Sequence, residues 1–252
     1  MKIIQLCAID QTLKIFLKPL IQCLGARGHE VICVCSEGPY TEELKSEGMD
    51  IVNLSIERKI KFSSNIKSAY KLYKLFRNIK PDVVHVHTPV ASIIGRAAAR
   101  LAGVAVVIYT AHGFYFHDNM SPIEYRFFLN IEKYFGRLTD FIFTQSDEDR
   151  TTAINNNFID ESKIVCIGNG IDVFGRFNPQ NINHEEIKGL YEEFHLDEEN
   201  IIITFIGRLV SEKGIVELLE AFSGIDGNNI KLLVVGDIDQ GCRDQKTKTL
   251  IS

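Results

Sequence analysis

Several things are missing from this chain of 252 residues. None of its cysteines (Cys7, Cys23, Cys33, Cys35, Cys166, Cys242) forms a C-x-x-C pair, and Cys33 and Cys35 alternate inside an apolar run as core residues do. A reducing compartment therefore fits better than a disulfide framework. No stretch approaches the roughly 20 apolar residues of a transmembrane helix. The apolar part of the N-terminus is short and broken by Asp10, so a signal peptide is not expected. No G-x-G-x-x-G follows the first apolar run, which argues against a dinucleotide site there. No acidic residue falls between Arg58 and Lys80, whereas eight basic ones do. No glutamate occurs after Glu220.

What remains has the composition of a globular protein, 45% hydrophobic and 24% charged, with length for one to two domains. The net charge of −5 hides an asymmetry. Residues 1–80 hold 13 Lys/Arg against 8 Asp/Glu, and residues 81–252 hold 15 against 25. Nothing in this balance suggests nucleic acid as a partner.

Lys2–Ala8 reads as a buried strand. Asp10 is the expected cap of a helix whose Leu13, Phe16, Leu17, Leu20, Ile21 and Leu24 share one face, and Pro19 should kink it. Val31–Cys35 is the next strand, so the chain opens as a Rossmann-like unit. Further strands are expected at Ile51–Leu54, Asp82–Val86, Val104–Thr110, Phe141–Thr144 and Lys163–Ile167. Helices are expected at Thr41–Gly48, Ile66–Phe76 and Ala91–Leu101. Ser121-Pro122-Ile123-Glu124 is a capping box that starts another, running to about Gly136. Ser146-Asp147-Glu148 starts one more. The aromatic residues Tyr125, Phe127, Phe128, Tyr134 and Phe135 read as core or as an apolar groove.

Three places offer polar chemistry. His85 and His87 are two apart in a strand and face the same way. They form either a metal pair with a third ligand that the sequence does not supply, or one packed ring and one ring, His87, lining a cleft. His112-Gly113 follows a central strand, where α/β sites lie. Lys67, Lys71 and Lys74 form a helical stripe. That stripe is either a solvated face or a surface for anionic lipid heads, at about 1 kcal/mol per basic residue.

The stretch Ile201–Phe222 is the most informative. Ile201–Ile206 reads as a buried parallel strand, Gly207-Arg208 ends it, and Ser211 is the expected cap of a helix carrying Ile215, Leu218, Leu219 and Phe222. A loop of this kind aims free N–H groups at one point, and Arg208 and Lys213 add two cations. They are either surface charge or a diphosphate site.

Gly207–Gly214, G-R-L-x-x-E-K-G, resembles the donor-site motif of the retaining glycosyltransferase family GT4, which has the GT-B fold. P-D-V-V-H-V-H-T-P around His85 and His87 is similar to a family segment that is not a metal site. Gly168-Asn169-Gly170-Ile171-Asp172 resembles the G-N-G-[IV]-D found where the chain passes toward the second domain.

The resemblance implies an α/β, GT-B-like architecture. Residues 1–180 would be a complete Rossmann-like acceptor domain, 181–200 a linker, and 201–252 the first part of a Rossmann-like donor domain. Gly207, Arg208 and Lys213 would hold the diphosphate of a nucleotide sugar, a UDP-sugar by family frequency. His112 would orient the sugar or the acceptor. Asp10, His87, Gly113, Asn169, Gly170, Asp172 and Asp237 would line the cleft. Ala8-Ile9-Asp10-Gln11 stands where many members carry a Gly-rich loop. The family's later E-x7-E segment has no counterpart, so the chain reads as C-terminally truncated and inactive by itself.

The expected reaction moves a sugar, with retention, to a glycan or lipid-linked glycan in cell-surface polysaccharide synthesis. It needs no cofactor and no metal. The location is cytoplasmic, peripheral at the inner membrane face if Arg58–Lys80 meets lipid. The alternatives are a non-catalytic carbohydrate or membrane-surface binding protein and an H-x-H metal hydrolase.

Overall fold

The computed structural model describes residues 1–57, 62–117, 120–227 and 229–237. Arg58, Lys59 and Lys61 of the basic stretch, Cys242 and everything from 238 onward lie outside them. Two compact units divide at Gly170/Ile171. The residues read from sequence as a linker, 181–200, thus fall in the second unit, and they carry helix α8 (His184–Glu193).

The first unit is a seven-stranded sheet of order β3-β2-β1-β4-β5-β6-β7, parallel throughout. Its strands are β1 (Lys2–Ile9), β2 (Glu30–Ser36), β3 (Asp50–Asn53), β4 (Val83–His87), β5 (Val106–Ala111), β6 (Phe141–Thr144) and β7 (Ile164–Cys166). The helices are α1 (Asp10–Thr12), α2 (Lys18–Ala26), α3 (Thr41–Ser46), α4 (Phe62–Ile79), α5 (Pro89–Ala102), α6 (Pro122–Gly136) and α7 (Asp147–Asn155). The order reverses between β1 and β4, where doubly wound sheets open a crevice at the strands' C-terminal ends.

Burial on both faces explains the near-continuous apolar strands. One core cluster joins Leu6, Val84, Val86, Val107 and Ile142 to Leu72 and Phe76 of α4 and Ile94 and Ala98 of α5. The other face packs Cys7, Cys33 and Cys35 against Leu13, Leu17 and Leu44. Burial pushes the Cys33 thiol up to about 12. Hydrogen bonding to Cys35, then burial, raises Cys7 as well. These thiols are core residues, as their spacing suggested. Helix α5 lies so close to the sheet that a Cβ on Gly95 would run into Leu6 and Val86. The capping box at the start of α6 is present as expected.

Two local expectations are corrected. The helix after β1 is broken earlier than Pro19, by a π-helical turn at Leu13–Leu17, and Pro19 sits in the first turn of α2. Proline has no N–H to continue the ladder, so the chain restarts its helix around it. Asp10 does not cap its own helix, whose N-cap position is Ile9. It is 2% exposed, and its carboxylate accepts the Tyr40 N–H at 2.7 Å and the Thr41 hydroxyl at 3.1 Å. A Cβ on Gly38 would collide with it. Asp10 therefore anchors the loop leading into α3.

On the outside of the first unit, Lys67, Lys71 and Lys74 are exposed along α4, with Lys74 over the ring of Tyr70. An apolar groove of about 250 Å³ runs between Ile66 and Ala69 of α4, Val90 and Ile94 of α5, and Ile131 and Phe135 of α6. Of the aromatic residues of α6, Tyr125 and Phe128 pack against the core as the core reading expects, while Phe127 and Tyr134 are exposed.

In the second unit, β8 (Ile201–Ile206) and β9 (Ile230–Val235) form a parallel pair joined through α9 (Ile215–Ser223). Among the described residues of this unit, Ile206 is 78% exposed and Val235 46%, so the pair presents apolar surface.

Candidate active site

At the C-terminal ends of the central strands of the first unit, four polar side chains from four adjacent strands meet in a line. Gln5 lies within β1, His87 ends β4, His112 follows β5, and Gln145 follows β6. The Gln5 Oε1 stands 2.8 Å from His87 Nε2. His87 Nδ1 stands 3.2 Å from His112 Nε2, and His112 Nδ1 stands 2.7 Å from Gln145 Nε2. Burial holds His87 well below the usual histidine range and lowers His112 too, which favours the neutral form of both rings. His85 lies beside them, 4.2 Å from His87 between ring centroids, with Nε2 at 2.7 Å from the Thr110 hydroxyl. Burial takes it down to about 3.

The sequence placed His87 on a cleft wall. Instead it is 1% exposed and His85 7%, so both are packed, and the ring at the mouth is the half-buried His112. Three of the four ring nitrogens of the H-x-H pair contact Thr110, Gln5 and His112, and among the described residues no group of three His, Cys, Asp or Glu is placed to hold a metal ion.

Next to His112, Gly113 turns the chain at φ 95°, a left-handed conformation that suits glycine. Phe16, carried on the π-helical turn, is 58% exposed and its ring centroid lies 5.7 Å from that of His112. Past Gly113 a cleft of about 280 Å³ is lined by Phe114, Phe116, Tyr125, Ser146, Glu148 and Asp149. Burial raises the Asp149 pKa from its ordinary value.

Thr88, between β4 and α5, holds φ 63°, unusual for a β-branched residue, and its hydroxyl accepts the Ala8 N–H at 3.2 Å. Backbone strain of this kind gathers at functional sites. Gln5, Gln145 and Thr88 are the residues that sequence reasoning missed. A lone glutamine inside KIIQLCAI was the one visible signal.

In the second unit, Gly207 and Arg208 follow β8. The Gly207 N–H donates to Val235 O at 3.0 Å and the Leu209 N–H to Asp237 O at 3.1 Å, so Asp237 lies against the same loop. Ser211–Lys213 is a 3-10 turn, and Gly214, left-handed at φ 76°, opens α9. Ser211 is thus not the helix cap, because the turn separates it from α9. Lys213 is exposed, and Arg208 reaches Glu212 at 3.8 Å. Gly207, Arg208, Lys213 and Asp237 are therefore neighbours on one loop system. Asn169 and Gly170 are exposed at the end of the first unit. Asp172, in the second, accepts the N–H groups of Arg176 and Gly175, which lower its pKa.

A doubly wound parallel sheet with its polar side chains at the switch point, followed by the opening strands of a second parallel unit, is a GT-B-like α/β architecture. The chain belongs to Glycosyltransferase Family 4, whose family model matches residues 15–173; the model for Glycosyl transferases group 1 matches residues 189–252.

Among curated proteins it is 31% identical over 213 residues to an Escherichia coli UDP-Gal:alpha-D-GlcNAc-diphosphoundecaprenol alpha-1,3-galactosyltransferase, covering 82% of this chain and 54% of that protein. It is 29% identical over 241 residues to the capsular polysaccharide biosynthesis glycosyltransferase CapM of Staphylococcus aureus, covering 94% of this chain and 62% of that protein. The chain thus spans little more than half the length of these relatives. A crystal structure of a glycosyltransferase from Rickettsia africae ESF-5 superposes with a TM-score of 0.76 at 22% identity, covering 99% of this chain and 64% of that one.

Proposed function

We propose that this protein supplies the acceptor-side unit and the opening of the donor-side unit of an enzyme that moves a sugar from a nucleoside diphosphate sugar to a lipid-linked or polymeric glycan. Retention of anomeric configuration and a UDP donor belong to the same reading. The observation that carries it is the β8–loop–α9 segment, where Arg208 and Lys213 stand on the loop that leads into α9. A leaving diphosphate gains negative charge as the glycosidic bond breaks, and two cations with free helix N–H groups meet that need. His112, neutral at the mouth of the first unit, has the position to orient a sugar or an acceptor hydroxyl. The relatives named for polysaccharide and diphosphoundecaprenol chemistry support the substrate class.

A lipid-linked acceptor lies at a membrane. No described helix is long and apolar enough to cross one. The lysine stripe of α4 is then a surface that leans on anionic lipid from the cytoplasmic side, where such lipids lie.

The test is a transfer assay with labelled UDP-galactose and GlcNAc-diphosphoundecaprenol, run on this chain and on its coding region extended through any sequence after Ser252. Labelled lipid product supports the proposal. Glycan binding without donor consumption by either form would favour the binding-protein alternative.

A further inference from the structure

The line of Gln5, His87, His112 and Gln145 has a property that none of its members has alone. A neutral imidazole carries one proton, on either Nδ1 or Nε2. The three contacts, at 2.8, 3.2 and 2.7 Å, must each have one donor and one acceptor. Only two proton orderings satisfy all three. In one, both rings carry the proton on Nε2: His87 donates to the Gln5 carbonyl, His112 donates to His87 Nδ1, and the Gln145 amide donates to His112 Nδ1. In the other, both rings carry it on Nδ1, and both glutamines are turned over. If the two rings differ, either two hydrogens or two lone pairs face each other across the 3.2 Å gap. The Gln5 Nε2 is buried without a partner, so the inner end is free to be read either way round.

We infer that these four side chains order their protons as one unit, and that Gln145, at its outer end, is the positioning residue that sets which tautomer His112 presents at the sheet edge. The side chains come from four neighbouring strands, and no other residue is needed to close the chain of contacts. Gln145 is half-buried, so it can be reached from outside, whereas Gln5 is fully buried. A hydroxyl that takes the place of the Gln145 amide and accepts from His112 Nδ1 would then turn over His112 and, through it, His87. Both His112 nitrogens are engaged in either ordering, so a sugar or acceptor hydroxyl reaches the ring only by taking the place of Gln145 at Nδ1. This deepens the proposed role of His112 and rests on that reading for its purpose. The test below does not depend on it.

Nitrogen-15 NMR of the imidazoles reads each tautomer directly. The unsubstituted protein should show His87 and His112 with the same tautomer, Nε2–H in the ordering described by the present amide orientations. Gln145→Glu replaces the outer donor with an acceptor, so both rings should exchange their protonated and unprotonated nitrogen signals together. Gln145→Ala, the milder change, should leave the two rings matched to each other. Different tautomers on the two rings in any of these proteins would overturn the inference. So would a Gln145→Glu protein in which His112 changes and His87 does not, or in which neither ring changes. Matched and coupled rings in a protein that transfers no sugar would support the ordered unit and count against the proposed function alone.

Discussion

Arg96 of α5 and Glu132 of α6 form an ion pair at 2.8 Å with side chains 0% and 4% exposed. The arginine also donates to the Ser92 carbonyl and hydroxyl and lies 4.3 Å over the Tyr109 ring. The Tyr109 hydroxyl donates to the same carboxylate at 3.3 Å. This pair seats α6 on α5. Glu132→Ala leaves a buried cation without its partner and should cost about 3–5 kcal/mol in urea unfolding. Arg96→Met with Glu132→Leu removes both charges and should recover most of that loss. A double variant as unstable as the single one would show that packing, not charge, accounts for the cost.

Acid should weaken the first unit in a defined direction. His85 and His87 are held neutral by burial, His85 down to about 3, against an ordinary value near 6.5. Below that ordinary value the unfolded chain takes up protons that the folded one refuses, so stability rises with pH in this range. It is fully present above about pH 6.5 and is lost as pH falls toward 3. Each ring adds about a tenfold rise in the unfolding constant for every pH unit lost within the window. Urea unfolding at pH 8 and pH 5, followed by circular dichroism, measures it. A His85→Gln protein should show a shallower slope, and an equal slope would assign the effect to other groups.

Arg208→Ala and Lys213→Ala should each weaken binding of UDP by about 1.5–3 kcal/mol, the range for hydrogen bonds to charged groups. Calorimetric titration on the protein shown to bind UDP is the measurement. Unchanged affinity in both variants would take the diphosphate away from this loop.

Replacing Lys67, Lys71 and Lys74 with Gln should reduce sedimentation with anionic vesicles, since all three are exposed and the fold does not depend on them. The attraction should fade as salt rises, because exposed charges are screened over about 8 Å at physiological ionic strength. Binding that ignores salt would point to apolar insertion instead.

Much of this architecture was readable in the sequence because it is local. Apolar runs of the right length gave the parallel strands, and Ser121-Pro122-Ile123-Glu124 gave its helix start. Asp10 was misread because capping rules look two or three residues ahead, whereas its partners stand 30 and 31 residues away. Ser211 was misread because an intervening turn, ended by Gly214, takes the place of a cap. His87 was put on a cleft wall because alternation tells which residues share a face, not which face is covered. Gln5 and Gln145 carry no periodic signal. Only the strand order makes them neighbours of the histidines, across 82 and 33 positions of chain.

Because every strand of the first unit runs the same way, all its helix-to-strand returns lie at the edge opposite the histidine line. The loop at Gly103, before β5, is such a return: exposed, left-handed, with open space around the α-carbon. The segment at Gly113, after the same strand, is its counterpart beside His112. The two ends of β5 therefore differ in tolerance to inserted sequence. A short Gly/Ser insertion at Gly103 should leave the imidazole signals of His87 and His112 where they are, and the same insertion at Gly113 should displace them. The far edge of the sheet is the place to attach a tag, a fluorophore or a fused domain.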